Sequence, residues 1–360
     1  MAESRTRLVI LFGGQSAEHD ISRITARHVV AAADPNKYEI FPVGIDRSGT
    51  WHSADEALAL LQSNRVSELG ESLSVQGQEI VPTDVAASTA ATVVFPLLHG
   101  PMGEDGTVQG LLELAGLPFI GCGVLSSALS MDKVAAKKMA QANGIPQGNW
   151  CSSHRVDLIG AQRDEAMSKV IAQLSLPIFV KPANCGSSIG ISKASTVDQL
   201  SAAIDEALRF DDWIVFEEAI NGREIEVAVL GHTYSPRASV PGEIKPAAEF
   251  YDYNDKYNDG AAQLDIPASL PKAEADVVRA LACDVFRHYR CEGMARVDFF
   301  YEENGRGWLL NEVNTIPGFT PISMYPKMWE ATGLPYRALI DELVHLALER
   351  HNETQRYRNA

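Results

Sequence analysis

Arg296-Val-Asp-Phe-Phe-Tyr301 and, one short turn later, Trp308-Leu-Leu-Asn-Glu-Val-Asn314 decide how this chain folds. Side chains alternate along a strand, so Arg296 and Asp298 share one face, as do Glu312 and Asn314. With Asn304-Gly305-Arg306 as a three-residue hairpin loop, Asp298 stands opposite Glu312 and Arg296 opposite Asn314. Two carboxylates and one amide oxygen then converge. Such an all-oxygen set suits a hard cation, and magnesium keeping several waters beside substrate phosphates fits best. Two anions held this close repel unless a cation compensates them. The plainer alternative is an exposed polar sheet face balanced by Arg296. Val297, Phe299, Leu309 and Val313 predict half-burial on either reading.

Upstream, Lys181-Pro-Ala-Asn-Cys-Gly-Ser-Ser-Ile-Gly190 follows the apolar run that starts at Leu176. Its glycines can wrap backbone N–H groups round a phosphate, and Lys181 leaves a buried strand, where a cation is costly unless it faces an anion. No GxxxxGK[ST] occurs, and a hairpin turn with a solvated lysine is an equal alternative. Glu217-Glu218 closes one strand and Glu224 opens the next; such carboxylates can take ribose hydroxyls or an adenine amine, though surface charge is the commoner use. His99-Gly-Pro-Met-Gly-Glu-Asp-Gly106 is a tight loop at the C-terminal end of a strand, the ligand position of open α/β sheets, with Asp105 equally suited to capping the next helix. Glu18 opens the first helix, where a carboxylate suits the dipole without any substrate.

The wider pattern is α/β. Arg7 to Phe12, a helix from about Glu18 to Ala33 and a strand Tyr38 to Ile45 open a parallel sheet. Thr92 to Leu98 resumes it, a helix spans Gly106 to Ala115, and Leu117 to Ile120 is a further strand. A helix from about Ser130 to Ala142 stops at Asn143-Gly-Ile-Pro146. Strands at Leu176 to Pro182, Trp213 to Glu218 and Arg223 to Leu230, and helices near Val197 to Arg209 and Ala273 to Tyr289, complete the scheme. Domain limits fall at 1–123, 124–216 and 217–360.

Composition excludes other classes. The 360 residues carry 31 Lys plus Arg against 47 Asp plus Glu, a formal charge of −16, opposite to the balance of a nucleic-acid binder. No apolar run approaches the roughly 18 residues of a membrane span, and the polar start predicts no signal peptide, hence a cytoplasmic protein. The 5 cysteines form no CxxC pair and read as reduced thiols.

Seven stretches taken together resemble the D-alanine:D-alanine ligases of the ATP-grasp superfamily: Phe12 to Ser22, His99 to Gly106, Met131-Asp-Lys133, Lys181 to Gly190, Phe250 to Tyr257, Gly293 to Asp298, and Asn311 to Gly318. The resemblance implies an ATP-grasp fold of three α/β domains, the N-terminal one Rossmann-like, and ligation of two D-alanine molecules through a D-alanyl phosphate for the bacterial cell wall. It implies that Lys133, Lys181 and Lys256 hold ATP phosphates, that Glu217, Ala219 and Ile220 read adenine, that Glu224 binds ribose, and that Asn311 lies on the nucleotide side. Asp298, Glu312 and Asn314 would bind two magnesium ions, with manganese as substitute. Glu18 would take the first alanine's ammonium, Ser187 and Tyr257 would close over it, Arg296 and the Gly318 N–H would stabilise the oxyanion, and Ser323 would receive the second carboxylate. The implied lid is 241–260, and a homodimer is implied as well. Lys256-Tyr257 favours D-alanine over D-lactate, for which related ligases carry histidine nearby. Glu218 stands where many members have lysine, and Cys185 lies inside the phosphate-covering loop. Another ATP-grasp ligase and a non-catalytic nucleotide sensor remain as alternatives; the full set of Asp298, Glu312, Asn314, Arg296, Lys133 and Lys181 speaks against the sensor.

Overall fold

Leu8 to Phe12 are wholly buried, as a continuous apolar run requires of a parallel strand covered on both faces. They form the centre of β1 (Thr6–Gly13) in this computed structural model, which describes residues 5–86, 91–245 and 263–358. With β2 (Tyr38–Ile45), β3 (Trp51–Ser53), β4 (Glu79–Ile80) and β5 (Thr92–Pro96) it makes a five-stranded sheet in the order β4-β3-β2-β1-β5. β1 runs parallel to β2 and to β5, and the His19–Ala32 helix makes the first crossover. The strand expected at Leu117 to Ile120 is only a parallel bridge between Val94 and Phe119. Pro118 has no N–H to donate, so the ladder cannot extend.

A second, antiparallel sheet joins β6 (Trp150–His154), β7 (Ile178–Pro182), β8 (Ser192–Ala194) and β9 (Trp213–Glu218) in the order β6-β9-β7-β8. The Arg163–Leu174 and Val197–Ala207 helices supply its core through Met167, Val170, Leu200 and Ile204. Sequence reasoning passed over β6 and the first of these helices; β6 is partly exposed at every position, so it carries no inside-outside alternation.

The third sheet is antiparallel and contains the deciding hairpin. Its strands are β10 (Arg223–Gly231), β11 (Arg237–Ala238), β12 (Gly242–Lys245), β13 (Gln263–Asp265), β14 (Gly293–Glu302) and β15 (Gly307–Asn314), on the path β13-β12-β10-β14-β15 with β11 beside β10. One face packs Val227, Val297 and Phe299 on Val278, Val285 and Phe286 of the Lys272–His288 helix. The other face, through Ala228, Leu230 and Met294, shares a core with the Met324–Ala331 and Tyr336–Arg358 helices, with Phe95 of the first sheet and with Ile120 beside it.

Two expectations change in detail. The helix from Ser130 to Ala142 is two helices, Val124–Met131 and Lys133–Ala142, broken at Asp132, whose extended backbone and side chain cap the second by accepting the Ala135 N–H at 2.8 Å. In the hairpin, Glu302 pairs with Gly307, so the loop is 303–306, one residue longer than expected. Asp298 nevertheless faces Glu312, because a β-bulge at Asp298/Phe299 leaves Asn311 as an extra residue between Leu310 and Glu312. The two one-residue differences cancel where the carboxylates meet.

Candidate active site

The bulge turns Glu312 and Asn314 to the face that carries Arg296 and Asp298. Arg296 donates from Nε to Asp298 Oδ1 at 2.8 Å and from Nη2 to Oδ2 at 2.6 Å, and its Nε lies 3.1 Å from Glu226 Oε2 on β10. Asn314 Nδ2 donates to Asp298 Oδ2 at 2.9 Å. Burial alone would lower the pKa of Arg296, but Asp298 and Glu226, with Glu312 farther off, hold it well above the ordinary value. Among the described residues no three His, Cys, Asp or Glu side chains gather as a metal cluster. The donor set is instead two carboxylates and an amide oxygen, chemistry that fits a hard divalent cation.

Facing this hairpin is a buried lysine pair around one carboxylate. Glu217 Oε2 accepts from Lys181 Nζ at 2.7 Å, and Oε1 meets Lys137 Nζ at 2.9 Å. Burial would raise the Glu217 pKa, but the two cations outweigh it and keep the group ionised. Lys181 is likewise lowered by burial and raised more by Glu217, with Glu312 and Glu224 contributing. Lys133 Nζ donates to the Cys185 carbonyl at 2.6 Å, which ties the helix start to the glycine loop. Its pKa is lowered, by burial first and then by Lys181, against the pull of Glu312. Sequence reasoning named Lys133, Lys181 and Glu217 but not Lys137. The signal was there: Lys137 follows Lys133 by one helical turn, on the same face of the helix.

Glu18 lies where the first sheet meets the glycine loop. Ser187 Oγ donates to Glu18 Oε1, which brings together two residues that the resemblance assigns to the first substrate. Gly100 has φ +77°, a backbone conformation that favours glycine, and a Cβ there would sit 2.8 Å from Glu18 Oε2. Next to it, Glu104 accepts the Gly100 N–H at 2.8 Å and the Ile316 N–H at 3.3 Å, while His99 Nδ1 meets the Ile316 carbonyl at 3.1 Å. The 99–104 loop is thereby docked on the segment that leads to Gly318. Burial, reinforced by Glu18, pushes the Glu104 carboxyl up to about 8, despite the two N–H groups. His99 is buried, its pKa is lowered mainly by that burial, and its Nε2 finds no hydrogen-bond partner among the described residues. Neither residue had been given a role from sequence.

The remaining candidates lie at the end of β9, the start of β10 and the start of the Met324–Ala331 helix. Ala219 and Ile220 follow β9, with the Ala219 N–H on the Pro177 carbonyl at 3.3 Å. Glu224 opens β10 opposite Ile244 and Phe300. Ser323 precedes the Met324–Ala331 helix, with its hydroxyl on the Thr320 N–H at 3.1 Å. Lys256, Tyr257 and 246–260 of the expected lid lie outside the described residues.

Family models match most of the chain: D-ala D-ala ligase N-terminus over residues 7–122 and D-ala D-ala ligase C-terminus over 139–345. A D-alanine–D-alanine ligase of Caldicellulosiruptor bescii is 44% identical, with 97% of each chain covered. One from Clostridium acetobutylicum is 42% identical over 97% of this chain and 99% of its own. Among solved structures, the D-alanine-D-alanine ligase of Coxiella burnetii superposes with a TM-score of 0.80 at 36% identity, covering 99% of this chain and 97% of that one. The VanG D-Ala:D-Ser ligase of Enterococcus faecalis gives 0.81 at 35%, covering 96% and 100%. These solved neighbours have the ATP-grasp fold expected from the sequence. Full-length identity above two fifths and two family models in order leave one conclusion: the chain belongs to the D-alanine–D-alanine ligase family.

Proposed function

We propose that this site carries out the family's reaction, ATP-dependent joining of two D-alanine molecules to D-alanyl-D-alanine with release of ADP and phosphate, for peptidoglycan precursor synthesis. The observation that carries the proposal is the opposition of Asp298 to Glu312, and of Arg296 to Asn314, facing the Lys181–Glu217 pair.

The family implies ATP and a divalent metal, and the oxygen donors of Asp298, Glu312 and Asn314 support two magnesium ions, with manganese as an alternative. When bound, a divalent ion neutralises charge on the transferring phosphoryl group. Lys133, Lys181 and Lys256 hold the phosphates. Glu217 keeps Lys181 in place, and each of its oxygens retains a second lone pair for the adenine amine; the Ala219-Ile220 backbone completes that contact. Glu224 takes the ribose, and Asn311 lines the nucleotide side. Glu18, steadied by Ser187, binds the first ammonium, with Tyr257 closing over it. The first D-alanine carboxylate attacks the γ-phosphate to give a D-alanyl phosphate and ADP. The second amine then attacks the acyl carbon, Arg296 and the Gly318 N–H stabilise the oxyanion, and phosphate leaves. Ser323 receives the second carboxylate.

The same proposal divides the chain into 1–123, 124–216 and 217–360, with a lid near 241–260, and places the protein in the cytoplasm, where ATP is supplied. Among the described residues no helix is long and apolar enough to cross a membrane. A homodimer belongs to it too: exposed Leu114, Val124 and Leu125, on two neighbouring helices, offer apolar surface for a second copy. Phosphate release by the purified protein with ATP and magnesium should require D-alanine and ignore L-alanine. Release without amino-acid dependence would overturn the ligase, and a stronger response to D-alanine plus D-lactate would overturn the choice of second substrate.

A further inference from the structure

Glu218 ends β9 one residue beyond Glu217, and Arg306 closes the turn of the β14-β15 hairpin. Glu218 Oε1 accepts from Arg306 Nη1 at 2.5 Å and from the Asn149 N–H at 2.6 Å, while Oε2 meets Asn149 Nδ2 at 3.2 Å. The Glu218 N–H returns a bond to the Asn149 carbonyl at 3.1 Å. On its other edge Arg306 donates Nε and Nη2 to the two Glu302 oxygens at 2.8 and 2.9 Å, which fixes the guanidinium plane.

The short segment Pro146 to Asn149 is bound on both sides. The Leu310 N–H donates to the Pro146 carbonyl at 2.7 Å, and Gln147 bridges Leu310 in parallel. A Cβ on Gly148 would come 2.6 Å from Ile220 Cδ1 and 3.3 Å from Glu218 Oε1, so the segment is wedged against the residues after β9. Glu218, Asn149, Pro146, Leu310 and Arg306 thus close a ring that links the second sheet to the third. Leu310 immediately precedes the bulged Asn311. Glu302 first and then Glu218 hold the Arg306 pKa above its ordinary value, while Arg306 and Asn149 lower that of Glu218 against its burial.

We propose that Glu218 and Arg306 are positioning residues that set the separation between the 217–220 strap, which takes the adenine, and the phosphate end of the site on the hairpin. This rests on the nucleotide site proposed above. Neither side chain touches substrate; each acts through the segments it ties together.

Steady-state kinetics with ATP and D-alanine varied separately test this in Arg306→Met, Glu218→Gln, the double variant and Arg306→Lys. Each single change is expected to raise the KM for ATP about tenfold, with kcat and the KM for D-alanine held within about twofold. The double variant should be no worse than the poorer single one, and Arg306→Lys should recover part of the loss. An unchanged ATP KM, or effects that simply multiply in the double variant, would overturn the clasp. So would a fall in kcat together with a rise in both KM values and a lower thermal midpoint, which marks a mere strut. If Arg306→Met does not fold, calorimetric titration of Glu218→Gln and Arg306→Lys with magnesium ADP takes its place: weakened binding supports the clasp, and wild-type affinity overturns it. Wild-type protein is measured first: absence of ATP-dependent phosphate release there would overturn the ligase site itself and not the clasp alone.

Discussion

Asp298 and Glu312 face each other across two strands, and Arg296, which pairs with Asp298 and is shared with Glu226, offsets only part of their charge, leaving negative charge for an ion to meet. Removing one ligand charge should therefore hurt chemistry more than folding. Glu312→Gln is expected to lower magnesium-dependent kcat by about 100-fold or more, a loss near 2.7 kcal/mol of transition-state stabilisation, with little change in thermal midpoint. Parallel losses in kcat and midpoint would assign Glu312 a structural role. At this scale the sequence was most legible for residues whose type already states their chemistry. The opposition of the hairpin carboxylates was anticipated. Lys137, His99 and Glu104 were not given roles, because a lysine within a helix or a carboxylate in a loop has many uses until its burial and partners are known.

Strands and helices were read well wherever their periodicity was strong, as in β2 and β9, and poorly where one residue decides. Pro118 reduces an expected strand to a bridge, and Asp132 splits an expected helix. Asn311 absorbs the difference between the expected loop and the observed one; the predicted pairing was right, while the turn that justified it was a residue too short. Another element contact is sensitive to pH. His232, after β10, lies between Glu292 at 3.1 Å and Glu349 at 3.2 Å, the latter on the long C-terminal helix. Burial would lower its pKa, but the two carboxylates raise it above the ordinary 6.5. Because the folded value is the higher one, this contribution to stability is complete below about pH 6.5 and is lost as pH rises through the folded value. Wild type should exceed His232→Gln in thermal midpoint at pH 6, and the gap should narrow toward pH 9. A gap independent of pH would refute a charged His232.

At the scale of the whole molecule, the last helix returns to the first sheet. Arg350 donates to the Gly121 carbonyl and, at 2.8 Å, to that of Phe119, and lies 4.4 Å over the Phe119 ring. Lys37 and Tyr38 both reach Asp341 at 2.7 Å. Arg350→Ala should cost about 2 to 4 kcal/mol in denaturant unfolding, since it strands two buried carbonyls, while leaving the ATP KM near wild type. A change below about 0.5 kcal/mol would mean that the helix is held elsewhere. The acidic total of the chain is no obstacle to phosphate chemistry, because Lys133, Lys137, Lys181 and Arg296 are collected locally against it. The sequence by itself determined the α/β pattern and the oxygen-rich hairpin, since residue type and alternation are local properties, and its seven motifs carried the resemblance to the ligase family. Only the tertiary structure decided that Lys181 meets Glu217 across 36 positions, that Glu104 meets Ile316 across 212, and that Arg306 meets Glu218 across 88. Those contacts are set by how three sheets pack together, and no local pattern encodes that packing.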